Sequence, residues 1–170
     1  HKIDALTRLL EVEPYDALII FTRTKTDAED LTNRLLARGH SCEALHGDIP
    51  QKIREKTVER LRNGQLDVLV ATDVAARGLD VDRITHVVNY DIPYDPESYV
   101  HRIGRTGRAG RTGDAILFVS PKERRMLRVI EQTTRQPIEP MKMPTNQDIN
   151  RHRVQAFKDK LLAGLEDDDL

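Results

Sequence analysis

The string His101-Arg102-Ile103-Gly104-Arg105-Thr106-Gly107-Arg108-Ala109-Gly110-Arg111 gathers the residues best suited to chemistry. Arg102, Arg105 and Arg108 recur every third residue, with Gly104, Gly107 and Gly110 between them. On a helix, residues i and i+3 share a face, so Arg102 and Arg105 are expected to point together. The glycines end such a helix and let a backbone or a phosphate come close. A guanidinium presents a rigid fork of donors matched to phosphate oxygens. Delivered to a γ-phosphoryl group during transfer, it stabilises the charge that develops there. The alternative is a solvated basic loop, but glycines interleaved with arginines serve solubility poorly.

Two further strings carry polar groups at the ends of apolar runs. In Val70-Ala71-Thr72-Asp73-Val74-Ala75-Ala76-Arg77-Gly78-Leu79-Asp80, a buried strand would bring Thr72 and Asp73 to a sheet rim. A short helix of small residues would then lead to Arg77, Gly78 and Asp80. A hydroxyl and the free amides of a helix N-terminus suit phosphate. An aspartate that reaches a ribose hydroxyl suits a nucleotide. Taken singly, Thr72 or Asp73 is equally well a plain helix N-cap. The other string is His46-Gly47-Asp48, followed by Gln51 and Arg54. Gly47 permits close backbone approach, and Arg54 projects about one turn past Gln51. An ordinary strand–turn–helix cap explains these residues too.

Some chemistry is absent from the sequence. It contains no GxxxxGK[ST] phosphate loop and no acidic pair placed for Mg²⁺, so it lacks a complete ATP-binding apparatus of its own. His40, Cys42 and His46 suggest a metal cluster, but alternation along a strand accounts for them and no fourth ligand is at hand. No metal site is therefore expected. Cys42 reads as a small core residue. As the sole cysteine it excludes an intramolecular disulfide and agrees with a reducing compartment. No serine–histidine pairing stands out.

These groups need a scaffold. Short apolar runs rich in β-branched residues occur at Ala17–Thr22, Cys42–Leu45, Leu66–Ala71, Thr85–Tyr90 and Ala115–Val119. Helical periodicity lies between most of them. Leu31, Leu35 and Leu36 line one face after Thr26 as N-cap, with Gly39 as a stop. Ile53, Thr57, Val58 and Leu61 do so after Pro50, and Gly64 ends that helix. Continuous apolar strands alternating with amphipathic helices predict a doubly wound α/β domain over residues 1–140, with a parallel sheet and helices on both faces. Four of the five runs are followed by polar sequence, which would form one rim beyond the carboxyl ends of the strands. Pro137, Pro140 and Pro144 mark an extended stretch, with 141–146 as linker. Ile149, Val154, Phe157, Leu161, Leu162 and Leu165 then give residues 147–170 a helix and an acidic tail. That helix either pairs with a second copy or folds back on its own domain.

The chain has 170 residues, 32% of them charged, and no apolar run near the ~20 residues of a spanning helix. No membrane role is expected. Its net charge of −1 argues at first against nucleic acid. The sum hides an asymmetry. Eight basic residues between Tyr99 and Arg128 face only Asp114 and Glu123, whereas five acids and one base follow from Asp159 to the end. Residue 1 is His rather than Met and no leader pattern precedes the first helix, so the chain reads as a piece of a longer protein.

In this order the strings resemble the second RecA-like domain of DEAD-box ATP-dependent RNA helicases. Leu18 to Thr24 resembles motif IV, Gln51 to Arg54 motif IVa, Val70 to Asp80 motif V, and His101 to Arg108 motif VI. Val88 to Pro93 resembles the family element preceding motif VI. The resemblance runs through residues 1–140 and is strongest to the bacterial cold-shock helicases. It implies a RecA-like fold with a C-terminal helical extension. It implies ATP with Mg²⁺, both held mainly by an N-terminal RecA-like domain outside this chain, and RNA as partner. By the same resemblance Arg105 and Arg108 are arginine fingers. His101 and Arg102 couple the domains and the nucleotide, with Arg77 and Gly78 at the inter-domain face. Asp80 meets the ribose. Arg23, Gly47, Arg54 and Thr72 hold the RNA backbone. It further implies a homodimer through residues 147–170 and a cytoplasmic role in cold shock and ribosome biogenesis. The alternatives are a non-catalytic RNA-binding or dimerisation module, or a DNA-directed superfamily-2 helicase.

Overall fold

A computed structural model describes the backbone of residues 1–168 and the side chains of residues 1–163. Leu165 and the acids at 166–169 therefore lie outside the described side chains. The helices are α1 (Lys2–Val12), α2 (Lys25–Ala37), α3 (Gln51–Asn63), α4 (Asp73–Ala76), α5 (Pro96–Ile103), α6 (Arg124–Thr134) and α7 (Asn146–Asp168). The strands are β1 (Ala17–Phe21), β2 (Glu43–Leu45), β3 (Val68–Ala71), β4 (Ile84–Asn89) and β5 (Asp114–Leu117). By contacts the chain forms two compact units. One runs from Tyr15 to Ile138 and holds the sheet. The other joins His1–Pro14 to the residues from Glu139 onward.

All five expected strands form, and every pairing is parallel. Their spatial order is β2-β3-β1-β4-β5. β1 and β3 are buried at every position, as strands covered on both faces must be. Ile19, Phe21, Leu69, Ala71 and Val87 pack on one face with Leu61 of α3, and Val58 rests against that cluster. Leu18, Ile20, Val70 and Val88 alternate with them on the opposite face and are buried too. Each such side chain contributes about 1.5–3 kcal/mol by leaving water. Beside β4 and β5, Ile92, Tyr99 and Ile130 form a second cluster under α5 and α6.

Two helix details differ from expectation. α2 is capped by Thr24 rather than Thr26: the Thr24 hydroxyl accepts from the Asp27 N–H at 3.1 Å. Ala28, Leu31, Thr32 and Leu35 form the buried face, at i, i+3, i+4 and i+7, while Leu36 is exposed. In α3, Thr57 and Leu61 are buried but Ile53 is exposed. Gly64 closes α3 at φ +87°, a left-handed conformation in which a Cβ would be strained. Asp95 caps α5, its carboxylate accepting from the Ser98 N–H at 2.7 Å. That hydrogen bond holds the Asp95 carboxyl below its ordinary range.

In the smaller unit, α1 and α7 are in contact, and Arg153 pairs with Glu11. Ile149 is buried, whereas Val154, Phe157, Leu161 and Leu162 are exposed.

Candidate functional site

Parallel strands place all five carboxyl ends on one edge of the sheet, as the sequence reading required. From β1 the chain moves to one side through β2 and β3, then crosses to the other through β4 and β5. The switch point falls between β1 and β4, where open α/β sheets leave a crevice for ligands.

Arg102 is the best-held side chain on this edge. It is 1% exposed, the largest fully buried side chain among the described residues. Its Nε donates to Asp73 Oδ1 at 2.7 Å and its Nη2 to Asp73 Oδ2 at 2.9 Å. Its Nη1 reaches the Asp91 carbonyl at 2.6 Å and Asn89 Oδ1 at 3.3 Å. The guanidinium also lies 5.3 Å from the ring centre of Phe21. One arginine therefore ties α5 to α4, to the end of β4 and to β1. The bidentate carboxylate pairing is the strong form of such a bond.

Arg102 and Arg105 do not share a helix face, because α5 ends at Ile103 and Arg105 lies beyond it. Both still line one cavity of about 220 Å³, with Asp73, Arg77, Gly78 and His101 among its walls. Arg105 donates to the Leu79 carbonyl at 2.7 Å. Burial and the nearby Arg108 charge lower its pKa from the ordinary value, while Asp80 opposes them. It stays a cation. Arg77 and His101 are exposed at the cavity. Arg108 pairs with Asp80, Nε to Oδ1 at 2.9 Å. The two residues assigned by resemblance to phosphate and to ribose are here paired with each other.

Thr72 occupies the N-cap position of α4, yet its side chain makes no capping bond. Asp73 is committed to Arg102, so a plain cap explains neither residue. At Gly47 a Cβ would meet nothing within 4 Å, so the fold itself leaves that space open. Arg54, Arg77, Gly78 and Asp80 share an open groove with Gln51 and Arg62. Arg54 Nε is buried without a hydrogen-bond partner. Arg23 donates from Nη2 to the Ile92 carbonyl at 3.1 Å and from its backbone N–H to Asp91 Oδ2 at 2.9 Å.

Sequence reasoning missed Asn89 and Asp91 as the frame of Arg102. A polar residue inside the apolar run Val87-Val88-Asn89 was the available signal. Two residues of the suggested metal cluster have other surroundings. His46 Nε2 bonds Glu29 at 2.8 Å, and its Nδ1 accepts from the Asp48 N–H at 3.3 Å. Cys42 is buried, with its thiol pushed up to about 11 by desolvation.

The edge is thus a row of arginines, amides and hydroxyls around a cavity between α4 and α5, on a five-stranded parallel RecA-like sheet. Residues 1–110 match the helicase conserved C-terminal domain, and the chain belongs to that family. It is 58% identical over 164 residues to the ATP-dependent RNA helicase DeaD of Mycobacterium tuberculosis strain H37Rv, covering 96% of this chain and 29% of that protein. It is 48% identical over 169 residues to the DEAD-box ATP-dependent RNA helicase CshA of Bacillus licheniformis, covering 99% of this chain and 35% of that one. The chain thus spans about a third of the length of these curated relatives or less. Among solved structures it is similar to the C-terminal domain of the DEAD-box protein Dbp5, with TM-score 0.71 and 40% identity over 78% of each chain. It is also similar to Saccharomyces cerevisiae Dbp5 bound to RNA and ADP BeF3, with TM-score 0.78 and 38% identity over 90% of this chain and 41% of that one.

Proposed function

We propose that this chain is the second RecA-like domain of a bacterial-type DEAD-box ATP-dependent RNA helicase, the DeaD-like reading its similarities favour. The cavity lined by Arg77, His101 and Arg105, with Arg108 nearby, is the observation that carries this proposal. An N-terminal RecA-like domain holds ATP. Among the described residues no group of three His, Cys, Asp or Glu side chains could hold a metal ion. By the family resemblance, Mg²⁺ goes with ATP to that other domain.

Closure of the two domains brings Arg105 and Arg108 to the γ-phosphoryl group, and Arg108 exchanges Asp80 for phosphate oxygens. Asp80, so released, is free to accept from the ribose hydroxyl. Arg77, Gly78 and His101 lie along the joining face. Arg23, Gly47, Arg54 and Thr72 take the RNA backbone, which gives affinity without reading sequence. Arg102 positions rather than touches: it fixes α4 and α5, which carry the others. Hydrolysis then resets the two domains, and local strand separation follows from holding a single strand.

The test is an ATPase assay with and without single-stranded RNA or DNA. The chain alone is expected to show no turnover. Joined to its N-terminal domain it should turn over ATP, with RNA the better activator. Turnover by the chain alone would sink the proposal, and stimulation by DNA but not RNA would favour a DNA-directed enzyme.

The exposed Val154, Phe157, Leu161 and Leu162 support a second reading, association of two copies through residues 147–170. Light scattering is expected to give twice the chain mass, falling to one copy when residues 147–170 are removed. A monomer mass in both would refute it. Among the described residues no helix is long and apolar enough to cross a membrane. Work in the cytoplasm, in cold shock and in ribosome biogenesis is part of the same proposal.

A further inference from the structure

We infer that Tyr94 is a stacking platform for one base of the bound RNA strand. The inference rests on the RNA reading above and adds a contact that the backbone-holding residues do not supply.

Among the four tyrosines, Tyr94 alone is exposed, at 64%. It stands at the switch point. In spatial order the rim loops follow β2, β3, β1 and β4, which lays out Gly47, Thr72, Arg23 and then Tyr94. A strand held by the first three would reach Tyr94 next.

Its backbone is fixed on both sides. Ile92 and Pro93 are buried before it, and Asp95 is locked after it as the cap of α5. The Arg23 guanidinium lies 4.6 Å from the centre of the ring, itself anchored on the Ile92 carbonyl. A cation against an aromatic face holds the ring in place. The ring is nevertheless left largely open to solvent. A lone exposed tyrosine needs no explanation. An exposed ring braced by a cation, on an anchored turn, in line with phosphate-binding groups, is what sequence-tolerant single-strand binding requires: stacking beside an electrostatic track. Every base has a π-face, so this contact adds affinity without choosing a sequence.

The test uses the two-domain helicase with a non-hydrolysable ATP analogue and a labelled single-stranded RNA, read by fluorescence anisotropy across a salt series. Tyr94→Ala should weaken binding by roughly tenfold with the salt slope unchanged, and Tyr94→Phe should bind like the parent. An RNA with one abasic position, moved along the strand, should abolish the Tyr94→Ala loss at one register. Arg54→Met tests the underlying reading, because loss of one phosphate contact should lower the slope by about 0.7. If Arg54→Met acts as expected but Tyr94→Ala binds like the parent, the stacking inference fails and the RNA reading stands. A Tyr94→Ala loss that persists at every abasic register also overturns stacking. If neither variant changes binding, both fall.

Discussion

Replacing Arg108 by alanine in the two-domain protein is expected to lower RNA-stimulated ATP hydrolysis by roughly 10³- to 10⁵-fold, the effect of removing an arginine that neutralises a transferring phosphoryl group. RNA affinity without nucleotide should be nearly unchanged, because Arg108 is not among the rim groups assigned to RNA. The fold should survive as well. The Arg108 and Asp80 side chains are 34% and 64% exposed, and pairs this open contribute about 0–1 kcal/mol at most. Single-turnover hydrolysis, RNA binding and a thermal melt on one preparation separate these outcomes. A normal turnover rate in the variant would remove Arg108 from the mechanism.

Arg102→Ala is expected to act in the opposite way, through the fold. It leaves Asp73, Asn89 and the Asp91 carbonyl without their donor in a site where Arg102 itself is 1% exposed. Removing one partner of a buried pair costs about 3–5 kcal/mol. At about 2–4 °C per kcal/mol for a domain of this size, the melting temperature should fall by on the order of 10 °C. Arg102→Lys keeps the charge but not the fork, and cannot serve Asp73 twice while reaching β4, so an intermediate loss is expected. A melt of Arg102→Ala within a degree of the parent would show that the network is dispensable. The two variants together distinguish an arginine that meets ligand from one that holds the loops which do.

The sheet was legible because buried parallel strands are written as continuous apolar runs, and Ala17–Phe21 and Val68–Ala71 leave little else to read. The rim was legible for the same reason: once the strands are parallel, their polar successors share an edge. Helix faces were less so. Thr26 reads as the cap of α2 where Thr24 serves, and Leu36, one position past the buried Leu35, turns about 100° away from it to the surface. Arg102 and Arg105 do meet at one cavity, but not as neighbours on a helix face, because α5 stops between them and the i, i+3 rule holds only inside a helix. The partners of Arg102 could not be seen in sequence, since Asp73, Asn89 and Asp91 come from different loops and meet only in the fold. The same applies to Arg23 and Tyr94, joined across the switch point.

The strand order also bears on how the chain is made. β1 pairs only with β3 and β4, never with its sequence neighbour β2. As synthesis proceeds from the N-terminus, Ala17–Phe21 emerges early and finds no hydrogen-bonding neighbour until Val68–Ala71 has followed. At roughly 5–20 residues per second that interval lasts seconds, longer still before β4 completes the other side. Throughout it the most apolar segment of the domain, uncharged and rich in isoleucine, is an open strand edge. Non-local pairing of this kind slows folding and invites association with other nascent chains. The topology that gathers the rim residues to one edge thus leaves the central strand waiting for both of its neighbours, and only the edge strand β5 is added after it.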